Sequence, residues 1–111
     1  MTAVGDVVLI AFPFTDLSAA KVRPALVVGH AGAADVIVIF ITSNLANAGR
    51  TDVVLDSANA EFVQSGLRVS SRITVARLAT LEEGLIRRTI GSAGAETLRG
   101  VRDALRLVLH L

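Results

Sequence analysis

An arginine standing directly before a proline and an apolar run is the most chemically suggestive feature of this chain: Arg23-Pro24, then Ala25-Leu26-Val27-Val28. Pro24 fixes its own φ and biases Arg23 toward an extended conformation, so the guanidinium sits at the start of a stiff strand. Upstream lie Thr15-Asp16-Leu17-Ser18 and Ala19-Ala20-Lys21, a short polar loop and its exit. A guanidinium presents a planar fork of donors that suits phosphate. Arg23 is therefore a candidate phosphate-binding group. The plain alternative is a strand-flanking arginine in a surface ion pair.

Other chemistries have little to stand on. The two histidines, His30 and His110, are far apart in sequence, and there is no cysteine. That leaves no zinc set, no disulfide framework and no thiolate. No glycine-rich phosphate loop, dinucleotide fingerprint or GxSxG elbow occurs. Asp16, Asp52 and Asp56 could approach a Mg²⁺ ion, but loop aspartates ordinarily build turns. We expect no metal and no cofactor, so catalysis would rest on arginine, hydroxyls and a carboxylate or histidine.

The elements that must position Arg23 are short apolar runs divided by turn residues. Val7 to Phe12 reads as a strand that Pro13 ends or bulges. Ala25 to Val28 is a second strand, and His30 to Ala34 a turn. Asp35 to Thr42 is a third strand, whose continuous β-branched run suggests burial on both faces. Ser43 to Gly49 reads as a polar loop and Thr51 to Leu55 as a fourth strand. A helical turn fits Ala60 to Val63. Arg72 to Ala79 alternates as a further strand. Thr80 and Glu83 have the spacing of a capping box for one short turn. Leu85 to Ile90 is the last strand. The Arg87–Arg88 pair on it reads mainly as an exposed edge whose charge discourages edge pairing, with contact to phosphates as the other possibility. The closing stretch is an amphipathic helix. Leu98, Val101, Leu105 and Val108 share one face beside Ala104, while Arg99, Arg102 and Arg106 lie largely opposite. About six strands and one helix suggest a small β-barrel closed by a C-terminal helix.

The chain has 111 residues, enough for one domain with a real core, and we read 1–111 as that single domain. A hydrophobic share of 52% is too high for disorder and rich for a small monomer, so part of the surface is expected to face a second subunit. No apolar run reaches the roughly 18 residues of a membrane span. No basic segment followed by an apolar stretch opens the chain, and the expected location is the cytoplasm. The net charge of +1 does not announce a nucleic-acid binder. The cations are ten arginines and one lysine, which reads first as genomic codon bias.

Several segments, in order and spacing, resemble the MazF/PemK family of toxin endoribonucleases. They are Gly5-Asp6-Val7-Val8-Leu9, Phe12-Pro13-Phe14-Thr15-Asp16, Arg23-Pro24-Ala25-Leu26-Val27-Val28, Ile41-Thr42-Ser43, Ala79-Thr80-Leu81, Arg88-Thr89-Ile90-Gly91 and Val101-Arg102-Asp103-Ala104-Leu105. The resemblance covers nearly the whole chain. It implies a mainly β, SH3-like barrel with a C-terminal helix, a homodimer and a cognate antitoxin. It also implies metal-independent cleavage of single-stranded RNA at short preferred sequences, leaving a 2′,3′-cyclic phosphate and a 5′-hydroxyl. By the same resemblance Arg23 is the catalytic arginine and Thr42 the catalytic hydroxyl, with Ser43 beside it and Ser18 in the first loop as RNA-binding positions.

In such a reaction the RNA 2′-OH attacks its own phosphate, so the protein must steady charge on the phosphorane oxygens. Arg23 can do so as a permanent cation. Thr42 can orient a phosphate oxygen or relay a proton, and Asp16 is a candidate base. With no Trp or Tyr, Phe14 is the candidate platform for a base. The chain departs from the family pattern in a shorter first loop, with Ala19 and Ala20 in place of a polar run. It departs again where Thr74 and Ala76 stand for an Arg-x-Asp pair. Two other readings on the same fold are a gyrase-binding toxin resembling CcdB and a degenerate member that only binds antitoxin.

Overall fold

The computed structural model describes residues 2–12 and 21–111. Its six strands are β1 (Asp6–Phe12), β2 (Lys21–Ala31), β3 (Asp35–Thr42), β4 (Asp52–Leu55), β5 (Ser71–Glu82) and β6 (Ile86–Ser92). A short helix, α1 (Phe62–Ser65), lies between β4 and β5, and the longer α2 (Ala95–Leu109) follows β6. All strands join one antiparallel sheet in the order β4-β5-β3-β2-β1-β6.

Strand alternation sorts the apolar residues onto two faces. Val7, Leu26, Ile39, Ile73 and Val75 meet Val101 and Ala104 of α2 on one face. Val8, Ile10, Ala25, Val27, Val36 and Val38 form a second cluster, packed with Leu81, Leu85 and Ile86. The unbroken apolar run of β3 has its cause here, because Val36 and Val38 belong to one cluster and Ile39 and Ile41 to the other. On α2 the expected stripe is the packed one. Val101 and Ala104 are buried, and Leu98, Leu105 and Val108 are half-buried against the core.

The class is mainly β with a C-terminal helix, as expected. The barrel is not closed by strand pairing, however. Among the described residues β4 and β6 remain the two edges of the sheet. Helix α2 packs on β4 and β5 while α1 packs on β6. Strand β2 is longer than its apolar run. It begins at Lys21 because Val22, Arg23 and Pro24 pair with Ala11, Ile10 and Leu9 of β1. It ends beyond His30, so the turn is confined to Gly32–Ala34.

The capping box proposed at Thr80 and Glu83 does not form. Thr80 pairs with Ile37 inside β5, and the Glu83–Leu85 turn has no side-chain cap. The Glu83 carboxylate instead accepts hydrogen bonds from the Thr2 backbone N–H (2.7 Å) and hydroxyl (3.1 Å). Those bonds favour the charged form and hold its pKa below the usual carboxylate range. His30 joins the same tie, its Nε2 2.8 Å from the Thr2 carbonyl oxygen.

Candidate RNA-binding cleft

Pro24 sits in a central strand, where a proline must fall at a break in the ladder. That break is visible. The β2–β3 pairing runs through Val27–Val38 and Leu26–Ile39 and stops at Ala25–Phe40. The first residues of β2 stay paired only with β1. Arg23 of β2 and Thr42 of β3 each lie two residues past that last pair, beyond the end of the ladder.

A cleft of about 670 Å³ opens at this break. Leu9, Pro24, Ile41 and Ile90 give it apolar surface, and Arg23, Thr42 and Ser43 line it at the open ends of β2 and β3. Its other wall is Gly66-Leu67-Arg68-Val69, the segment after α1, together with Ser71, and Arg88 contributes from β6. Three guanidiniums thus line the cleft, and no carboxylate does so among the described residues. None of the three is in an ion pair with a described residue; those that occur join Arg72 to Asp52, Arg99 to Glu96 and Arg106 to Asp103.

Thr42 is oriented by the turn into which it leads. Its Oγ1 accepts a hydrogen bond from the Asn44 backbone N–H at 3.1 Å. A hydroxyl that already accepts keeps its own hydrogen for donation. The chain beyond Thr42 is secured by Arg72, whose Nη1 donates to the Ala46 carbonyl at 3.0 Å and lies 3.5 Å from Asp52 Oδ2. Asp52 also accepts from the Gly49 N–H at 2.9 Å.

The opposite wall is held by close backbone approach. Gly66 takes the left-handed conformation (φ 74°), and a Cβ there would run into the Ile90 carbonyl. A Cβ on Gly91 would likewise run into Gln64 and Ser65. Glycine at both places lets the end of α1 lie directly on β6. Glu61 locks the same segment to α2. Its carboxylate accepts from Thr97 Oγ1 (2.6 Å), the Thr97 N–H (2.8 Å) and the Glu96 N–H (3.0 Å). The N-cap residue of α2, Gly94, has no side chain to cap those N–H groups, so a distant glutamate does so. The Thr97 hydroxyl, then the two N–H groups, hold the Glu61 carboxyl below the usual carboxylate range.

The structure therefore brings Arg23, Thr42 and Ser43 together. Phe14, Asp16 and Ser18 lie outside the described residues. Asp52 and Asp56 are occupied structurally, Asp52 as above and Asp56 by the Ala58 N–H at 2.8 Å and the Ser70 hydroxyl at 3.3 Å. Thr74 and Ala76 do not line the cleft. The Thr74 hydroxyl donates to the Phe40 carbonyl at 2.7 Å, in the stretch where the β3–β5 register shifts. Sequence reasoning did not single out Arg68. Arg87 and Arg88 are both exposed on the edge strand β6, as expected, and Arg88 pairs across the ladder with Leu9, which pairs in turn with Pro24. That row carries Arg88 to the cleft.

A family model described as PemK-like, MazF-like toxin of type II toxin–antitoxin system matches residues 3–109. No curated protein matches the chain. Among solved structures, an endoribonuclease in complex with its cognate antitoxin, from a mycobacterial species, superposes with a TM-score of 0.78 at 17% identity, covering 100% of this chain and 97% of that one. Mycobacterium tuberculosis toxin MazF-mt6 gives 0.73 at 20% identity over 96% and 97%. A MazE–MazF structure from Deinococcus radiodurans gives 0.76 at 22% identity over 99% and 97%. At these identities the likeness is one of fold.

Proposed function

This chain belongs to the PemK-like, MazF-like toxins of type II toxin–antitoxin systems, and on that footing we propose that it is an endoribonuclease cutting single-stranded RNA by attack of a ribose 2′-OH on the adjacent phosphate. The observation that supports this reading is the end of the β2–β3 ladder, past which Arg23 and Thr42 line one cleft without a carboxylate among its described lining.

In this reading Arg23 and Thr42 are the catalytic residues. The attacking oxygen comes with the substrate, so the protein needs no nucleophile of its own. As the P–O bond forms, charge grows on the non-bridging oxygens. Arg23 meets it with a permanent cation and directed donors. Thr42, its oxygen already engaged by Asn44, donates to a phosphate oxygen and fixes the phosphate for in-line attack. Asp16, the proposed base, takes the 2′-OH proton as the P–O2′ bond forms, and the P–O5′ bond breaks with the leaving 5′-oxygen taking a proton from solvent, giving a 2′,3′-cyclic phosphate and a 5′-hydroxyl. Ser43 is placed to bind the chain beside the scissile phosphate. Asp16 as base, Ser18 as a further contact and Phe14 as a stacking platform complete the proposed site.

The working form is a homodimer in the cytoplasm, silenced by a cognate antitoxin. Structural relatives described as an endoribonuclease with its cognate antitoxin and as MazE–MazF support the antitoxin part of this reading. Among the described residues no helix is long and apolar enough to cross a membrane.

The substrate itself supplies a test. An RNA carrying deoxyribose only at the scissile nucleotide should resist cutting completely, because the attacking hydroxyl is gone. Cutting of that substrate at the all-ribose rate would require a water nucleophile and would end this proposal.

A further inference from the structure

We propose that Arg68 and Arg88 form a second phosphate-binding subsite, which grips the RNA chain next to the phosphate held by Arg23. The inference rests on the reading of the cleft as an RNA site and adds residues that the reaction itself does not use.

Charge is the first argument. A scissile phosphodiester carries one negative charge, whereas the described lining of the cleft carries three guanidiniums and no carboxylate. A permanent cation cannot be neutralised by proton loss, so three of them facing one volume repel one another unless anions are supplied. The whole chain has a net charge of only +1, so this concentration is local. One phosphate, even with the proposed base Asp16 beside it, leaves one of the three unmatched, and a run of phosphates matches them all.

Placement is the second argument. Arg23, Arg68 and Arg88 arrive from β2, from the segment after α1 and from β6. Strand β1 lies between β2 and β6, which sets their backbones about 10 Å apart by strand spacing. The cations therefore stand along the cleft on separate supports. Arg68 and Arg88 are both exposed and free of ion pairs with described residues. The apolar surface of the same lining, Leu9 and Ile90 included, suits the faces of bases more than a chain of carboxylates. That favours nucleic acid over an acidic polypeptide as occupant.

Binding of a single-stranded 2′-O-methyl RNA of about 16 nucleotides, a length within the range such sites cover, tests this by fluorescence anisotropy across KCl concentrations. The probe lacks the free hydroxyl that the proposed reaction needs and stays intact. Each lost phosphate contact on a single strand lowers the slope of log K against log salt by roughly 0.7. Arg68→Ala and Arg88→Ala should each show that loss. Arg68→Lys and Arg88→Lys should keep the wild-type slope, and so should Arg102→Ala, which removes an exposed charge from α2 outside the cleft. On cleavable RNA the two alanine variants should raise KM, with kcat falling far less than in Arg23→Ala. Arg68→Gln and Arg88→Gln repeat the test with longer neutral side chains should truncation disturb the fold. Wild-type slopes in the alanine and glutamine variants, or an equal loss in Arg102→Ala, would overturn the subsite. A slope loss confined to Arg68 and Arg88 in a protein that cuts no RNA would uphold the subsite while refuting the catalytic reading.

Discussion

Thr42 can be separated from a merely structural hydroxyl by choosing substitutions that keep or remove its hydrogen-bonding oxygen. Its Oγ1 already accepts from the Asn44 N–H, so any threonine or serine there would steady the turn. In the proposed mechanism only the donated hydrogen reaches a phosphate. Thr42→Ser should retain most of the cutting rate. Thr42→Val, nearly the same shape, should lose roughly 10²–10³ in kcat if that donor stabilises the transition state. Equal rates in the two variants, both folded, would remove Thr42 from the mechanism. Arg23 was legible from the residues because proline makes its neighbour's backbone predictable, and Thr42 became legible through family resemblance. Arg88 was legible only as one of an exposed pair for which phosphate contact was the second possibility, and Arg68 was not legible. Their link to Arg23 runs through the β6–β1–β2 rows and through a glycine contact between α1 and β6, neither of which leaves a local pattern in the chain.

Elements place the cleft walls, and the lock between α1 and α2 holds one of them. Glu61 stands where the sequence suggested only a helical turn, and nothing in its neighbours announces that it caps a helix 35 residues away. Its carboxylate accepts three hydrogen bonds, so its pKa is lowered in the folded protein. A depressed carboxylate pKa contributes stability that is fully present above the unfolded value and is lost as pH falls through the folded one. Glu61→Gln should therefore lower Tm at neutral pH. The gap to wild type should narrow as pH falls below the ordinary glutamate range and through the lowered folded value, where the wild-type side chain also becomes neutral. A gap independent of pH would show that the charged form is not what caps α2. The strands were legible from their runs of valine and isoleucine. The extra length of β2 was not, because Val22, Arg23 and Pro24 owe their strand conformation to pairing with β1.

At the scale of the molecule, two opposed apolar clusters and one amphipathic helix settle the mainly β class, and patterning alone was enough to foresee it. Closure was harder to foresee. Whether a curled sheet joins its edges depends on strand lengths and twist, and here β4 has only four residues and remains an edge among the described residues. The cleft at the β2–β3 break offers a ligand three arginines together with apolar side chains. The proposed function gives Arg23 a role in breaking an RNA chain. The direct measurement is to incubate wild type and Arg23→Ala, each shown to fold, with a long unstructured RNA in EDTA and to map the ends produced. The account predicts 2′,3′-cyclic phosphate and 5′-hydroxyl ends from wild type, with cutting reduced roughly 10²–10³-fold in the variant. Undiminished cutting by Arg23→Ala, or 5′-phosphate ends from wild type, would contradict it.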